Sequence, residues 1–115
     1  MSNRTLSISP KLWGPHLWII LHYITFVYDP RDSIEVKRLF MYHILNLMPC
    51  KSCRENYRRH VKNYPIDLTN KETLSKWLVR IHNETNKHLH KKTVPYSDVR
   101  RLYCRKGIKD MVNRH

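Results

Sequence analysis

Glycine is nearly absent from this chain, at two residues in 115. So few leave little provision for the positive φ angles of tight hairpin turns, which excludes a hairpin-rich sheet protein and favours long helices with short connections. Long apolar runs are also missing: the longest, residues 17–27, is interrupted by His22 and is too short to cross a bilayer. Residues 1–9 lack the apolar core of a secretory signal peptide, so a cytoplasmic chain without a membrane span is expected. Cysteine is limited to Cys50, Cys53 and Cys104. In a reducing compartment that set suits catalysis, metal binding or no role before it suits a stabilising framework. Acidic residues are scarce, nine against 22 Lys and Arg, for a formal net charge of +13. Such a surplus attracts polyanions. The basic residues are spread along the chain without a recognised nucleic-acid motif, however, and no dedicated nucleic-acid binding is expected. The densest stretch, residues 91–115, has eight Lys or Arg against two acids, and its part past the core reads as a basic C-terminal tail. One domain over 1–115, with its core at about 10–104, accommodates the whole length.

The apolar pattern is helical throughout. Ser9 can cap a helix from Pro10 with Trp13, Leu17, Ile20, Leu21, Ile24 and Val27 inward, stopped at Asp29-Pro30. Pro15 implies a kink there, or a regular helix that starts only near Gly14-Pro15. Asp32 and Glu35 have capping-box spacing for a second helix with the stripe Val36, Leu39, Phe40, His43, Ile44 and Leu47. A third runs from about Cys50 to Tyr64, with Cys53, Tyr57, Val61 and Tyr64 on one side. Thr69 and Glu72 repeat the capping spacing for a fourth, which carries Leu74, Trp77, Leu78, Ile81, Thr85 and Leu89. A short fifth follows Pro95, with Val99, Leu102 and Tyr103 inward. The expected fold is all-α, a four-helix bundle with a short fifth helix.

Three groups of residues carry chemistry. Pro49-Cys50-Lys51-Ser52-Cys53 places a Cys-X-X-Cys pair at a helix start, where unpaired N–H groups and the helix dipole stabilise a thiolate. The spacing suits an exchangeable disulfide and equally suits half of a zinc site. His82, Asn83 and Asn86 form a polar strip on the fourth helix, with Lys91 and Lys92 beyond its end. Two asparagines and a histidine there suggest a gripped polar ligand, and a solvated face or internal polar network is the alternative. In the first helix Trp18 and His22 are one turn apart and can sandwich or flank a planar ligand, with Gly14 leaving room near the backbone; the alternative is a core of aromatics with a satisfied histidine. Two rival functions follow from the cysteines. A zinc-stabilised basic module for nucleic acid would join the pair to two of His60, His82, His88 or His90. A thioredoxin-like oxidoreductase would need alternating strands and helices, which are not evident.

Taken in order, Gly14, Trp18, Leu21 and His22, then Cys50 and Cys53, then Trp77, His82, Asn83, Asn86, Leu89 and Lys91 resemble the Erv/ALR family of FAD-dependent sulfhydryl oxidases over roughly residues 12–96. The resemblance implies a helical bundle holding FAD at its mouth. It makes Cys53 the sulfur beside the flavin and Cys50 the outer sulfur that exchanges with substrate. It places Gly14, Trp18, His22, His82, Asn83, Asn86 and Leu89 along the cofactor, Lys91 and Lys92 near its pyrophosphate, and Tyr96 closing the site. The implied reaction oxidises a protein dithiol or thioredoxin-like carrier, with electrons passing to dioxygen to give hydrogen peroxide. No shuttle Cys-X-X-Cys pair is present, which is most similar to the minimal forms encoded by large cytoplasmic DNA viruses. That likeness implies a homodimer working in the host cytoplasm or virion, with the mitochondrial intermembrane space as the other location.

Overall fold

Ser9 opens the first helix by accepting the Lys11 N–H on its hydroxyl at 3.3 Å. Residues 8–105 are described by the computed structural model, so the expected basic tail past 105 lies outside the described residues. Helix α1 (Pro10–Phe26) runs through Pro15 without interruption and does not wait for Gly14-Pro15 to begin. The proline removes only the N–H that would pair with the Lys11 carbonyl. Both residues are exposed, where water can serve that carbonyl instead. Ile19, Leu21, His22 and Thr25 are buried. Ile20 and Val27, expected inward, are 57% and 60% exposed and fall in line with Leu12 and Tyr23 on a second, outward apolar face.

The Asp32–Glu35 capping box does not form. Asp29 accepts the Arg31 N–H at 2.9 Å and caps a 3₁₀ turn, Pro30–Asp32, so the chain is already wound when it enters α2. Helix α2 (33–47) contains a wide π turn at Leu39–His43, where the Ile44 N–H reaches back to the Leu39 carbonyl. Val36, Phe40 and Ile44 repeat every four residues and are all buried. In a regular helix such a stripe drifts around the axis; the wide turn absorbs the drift. The same shift turns His43 and Leu47 outward, correcting the expected stripe. Inside the turn the Phe40 carbonyl accepts the buried Tyr57 hydroxyl at 2.7 Å.

Helix α3 (Lys51–Asn63) follows with Cys50 as its cap. Helix α4 (Lys71–His88) is capped one residue later than expected, by a reciprocal Asn70–Thr73 box. Thr69 instead lies in the turn before the helix, where its N–H is held by the Asp67 carboxylate at 3.0 Å. Helix α5 (Tyr96–Arg105) completes the described chain. The fold is the expected all-α four-helix bundle with a short fifth helix. Its core centres on α4, where Leu74, Leu78 and Ile81 are fully buried and the Trp77 ring meets Phe40 edge-on at 5.3 Å. Hydrogen bonds define the two ends of the bundle. Ile8 N–H to Pro49 carbonyl (3.1 Å) and Asn56 to His88 (3.0 Å) join the start of α1, the end of α2, the start of α3 and the end of α4. Tyr28 to Leu68 carbonyl (2.9 Å) and Trp77 to Tyr64 carbonyl (2.6 Å) tie the opposite end. Among the described residues no helix is long and apolar enough to cross a membrane.

Tyr57→Phe is expected to lower stability by about 1–2 kcal/mol, because a buried carbonyl of the wide turn loses its donor. Urea denaturation measures this, with the far-ultraviolet helical signal retained; an unshifted midpoint would mean the carbonyl has another donor.

Candidate active site

Pro49 cannot continue α2, and Cys50 takes an extended backbone (φ −165°, ψ 116°) as the residue that caps α3. Its sulfur accepts the Cys53 N–H at 3.3 Å, and the Ser52 hydroxyl lies 3.4 Å away. The two cysteines form a disulfide across a Cα–Cα distance of 5.2 Å. The Met48 carbonyl accepts both the Cys50 N–H at 2.8 Å and the Arg54 guanidinium at 2.5 Å, which anchors the segment leading into Cys50. Both cysteines are half-buried, so exposure does not divide their roles. Cys50 is the cap, and the Cys53 N–H points at its sulfur. Sulfurs joined to each other are not thiolate ligands, and no three His, Cys, Asp or Glu side chains converge as a metal site among the described residues. The zinc reading therefore gains no support.

The aromatic group comes together on facing helices. Trp18 of α1 stacks on His82 of α4 with centroids 3.8 Å apart and planes 5° from parallel. His22 bonds His82 through ring nitrogens 2.9 Å apart, and its ring lies 5.4 Å from Tyr103 of α5. Trp18 and His22, at 5.8 Å and tilted, leave no slot for a ring between them, so they can flank a planar ligand but not sandwich it. Beside this stack a cavity of about 480 Å³ is lined by His22, His82, Asn83, Asn86, apolar side chains of α4 and α5, and Tyr103. Burial pushes the Tyr103 hydroxyl up to a pKa of about 12, so it stays a neutral donor. Asn83 donates to the Val94 carbonyl and accepts the Val94 N–H, each at 2.8 Å, pinning the connection into α5; Asn86 donates to Asn83 at 3.4 Å. The asparagines thus build the wall of the cavity through an internal network. Its size, apolar lining and convergent polar atoms fit a cofactor with a flat aromatic part.

Other expected residues fall elsewhere. Gly14 is half-buried, and a Cβ there would meet nothing nearer than Pro10 at 4.0 Å, so space remains beside the backbone. Leu89 ends α4 and is exposed, and Lys91 and Lys92 are exposed beyond it. Tyr96 does not line the cavity; its hydroxyl lies 2.8 Å from Ser75 and its ring packs near Phe26 and Lys76. The disulfide is not in the cavity lining either. Sequence reasoning missed Val79, Val94, Asp98 and Arg101 as lining residues, since nothing in the pattern signals that Asn83 pins the chain at Val94 and so sets α5, with Asp98 and Arg101, beside α4. It placed Tyr103 inward on helical spacing but not at the site.

A sequence model of the Erv1 / Alr family matches residues 15–104. The chain is 34% identical over 98 residues to a probable FAD-linked sulfhydryl oxidase of Acanthamoeba polyphaga mimivirus, spanning 79% of this chain and 68% of that one. It is 30% identical over 94 residues to an FAD-linked sulfhydryl oxidase of African swine fever virus, spanning 79% of each. It is 32% identical over 96 residues to an FAD-linked sulfhydryl oxidase of Oryza sativa subsp. japonica, spanning 81% of this chain and 50% of that protein.

Sequence reasoning also left His60 without a structural role. It is buried on α3, and its Nε2 has no hydrogen-bond partner among the described residues. Burial first, then the charges of Arg59 and His88, lowers its pKa, with Glu84 opposing. A histidine kept neutral by folding contributes fully above its ordinary pKa of about 6.5 and costs stability as pH falls below that value, where only the unfolded chain binds the proton freely. Stability is therefore expected to drop between pH 7.5 and 5.5, and His60→Leu to flatten that dependence. Denaturation midpoints at the two pH values test this, and an equal slope in both proteins would contradict it.

Proposed function

The chain belongs to the Erv1 / Alr family, and from that premise we propose that it acts as a FAD-linked sulfhydryl oxidase, forming disulfides in a protein dithiol or thioredoxin-like carrier. The observation that carries this reading is the Cys50–Cys53 disulfide at the start of α3, with the Cys53 N–H on the Cys50 sulfur. A substrate thiolate attacks Cys50, which is the cap of the helix, and Cys53 leaves with its electrons. The second substrate thiolate then displaces Cys50, whose sulfur departs as a thiolate stabilised by the Cys53 N–H and the positive end of α3. Both enzyme cysteines end reduced, and the substrate carries the new disulfide.

FAD, when bound, supplies the acceptance of two electrons from the reduced pair and their passage to dioxygen, which leaves as hydrogen peroxide. Trp18, His22 and His82 would flank its flat parts, and Gly14 would leave room for its approach. Asn83 and Asn86 would hold the wall, Leu89 would pack nearby, and Lys91 and Lys92 would face the pyrophosphate. Tyr96 joins this set only through α5, which it anchors to Ser75. The single domain covers 1–115 in this reading. The outward apolar face of α1, with exposed Ile34 and Leu47 of α2, supports a homodimer through these helices. The viral relatives support work in a host cytoplasm or virion.

Purified protein is expected to be yellow, with near one FAD per chain in its absorption spectrum; a colourless folded protein would sink the oxidase reading. Cys50→Ser and Cys53→Ser should each cut dithiol-dependent oxygen consumption by more than about a thousandfold while the flavin stays bound. His82→Ala should weaken FAD retention by about tenfold, the scale of a lost ring stack worth ~0.5–1.5 kcal/mol. Full flavin content after dialysis of that variant would return His82 to a packing role.

A further inference from the structure

Charge is segregated along the bundle axis. Of the eight acidic residues between 8 and 105, five (Asp29, Asp32, Glu35, Asp67 and Glu72) lie at the end where α1 and α3 finish and α2 and α4 begin. There, Asp29, Glu35 and Glu72 are paired with Arg31, Arg38 and Lys76, and Lys37, Lys62 and Lys71 bring this end to six bases against its five acids, close to balance. Glu84 is held by Arg80 and Lys87, and Asp98 by Arg101. The opposite end carries the disulfide. Lys11, Lys51, Arg54, Arg58, Lys91 and Lys92 belong to the segments that meet there, and none has a carboxylate partner among the described ion pairs. All but the half-buried Arg54 are exposed. Arg54 and Arg58 also donate to the Met48 and Leu45 carbonyls at the end of α2, which holds their charge beside the active segment. Helix α3 itself has five Lys or Arg against the one acid Glu55.

We infer that this cationic pole is the docking surface for the substrate, and that the substrate is an acidic protein whose dithiol is flanked by Asp or Glu. The inference rests on the oxidase reading and names its substrate class. A charge arrangement with one cationic end turns an approaching acidic partner toward the disulfide and raises the encounter rate. It also answers a chemical difficulty. Acidic neighbours disfavour the thiolate of the substrate, and the pole restores it on docking by opposing their charge. The exchange balances: one S–S bond breaks in the enzyme and one forms in the substrate, two electrons pass to Cys50 and Cys53, and the two substrate protons end on those sulfurs or in solvent.

The test compares two Cys-X-X-Cys peptides, identical except for flanking Glu or flanking Lys, with the flavin-loaded enzyme. Each kcat/KM is normalised to that for dithiothreitol, an uncharged dithiol. At low ionic strength the acidic peptide is expected to be favoured by about tenfold or more, and the preference to fade at ~0.5 M salt. Lys51→Glu should reduce the acidic-to-basic ratio by several-fold, and normalisation removes any change in cysteine reactivity. Equal ratios for the two peptides, or a preference that ignores salt, would overturn the inference. So would salt-sensitive binding of a DNA duplex without any peptide preference, which would assign the pole to nucleic acid. Absence of dithiothreitol turnover in the flavin-loaded protein would instead defeat the oxidase reading itself.

Discussion

The burial of α4 is the constraint on which the rest of the structure depends. Leu74, Leu78 and Ile81 have no exposed surface, and the helix is covered on different sides by α1, α3 and α5. Fully burying such side chains contributes about 1.5–3 kcal/mol each, so the other helices are positioned by what this one must hide. The polar residues of α4 are then displayed in fixed directions. His82 faces Trp18 and His22, Asn83 reaches the connection to α5, and the end of the helix reaches α3 through His88 and Asn56. A cavity wall and a core are thus built on the two sides of one helix.

The cysteine pair depends on a second, local constraint. A helix start leaves N–H groups without internal partners, and a chain leaving α2 at Pro49 must satisfy them within a few residues. Cys50 meets this need with sulfur where Ser, Asp or Asn would ordinarily use oxygen, so the helix cap and the disulfide share one sulfur. Arg54 and Arg58 serve the adjoining end of α2, where carbonyls are in excess, and their charge adds to the field around the disulfide.

Much of this was legible before any coordinates. The third helix and the inward side of Tyr57 and Val61 follow from spacing alone, and so do the cap at Ser9 and the buried stripe of α4 from Leu74 to Ile81; Leu89, expected on that stripe, is 50% exposed where the helix ends. The misplaced details are those where two local signals competed. Thr69 was the expected cap, and the Asn70–Thr73 box takes that place while the Thr69 N–H is held by Asp67. Asp29 and Asp32 competed likewise, and the turn after Pro30 favoured the earlier one. The wide turn at Leu39–His43 has no distinct residue signature. It forms because the four-residue spacing of Val36, Phe40 and Ile44 has to stay on one face, and Tyr57, 17 positions on from Phe40, supplies a donor.

By itself the sequence determined the helical class, the order of the helices and the placing of a cysteine pair at a helix start, because these rest on periodicity and on contacts within a few residues. Only the tertiary structure decided that Trp18 stacks on His82 and that Asn83 pins Val94 and not a solvent molecule. It also decided that Tyr96 bonds Ser75 away from the cavity and that five of the eight acids between 8 and 105 gather at the end opposite the disulfide. Those relations join residues on different helices. Their distances depend on how far each helix rotates and slides to bury its own stripe, and no local pattern records that.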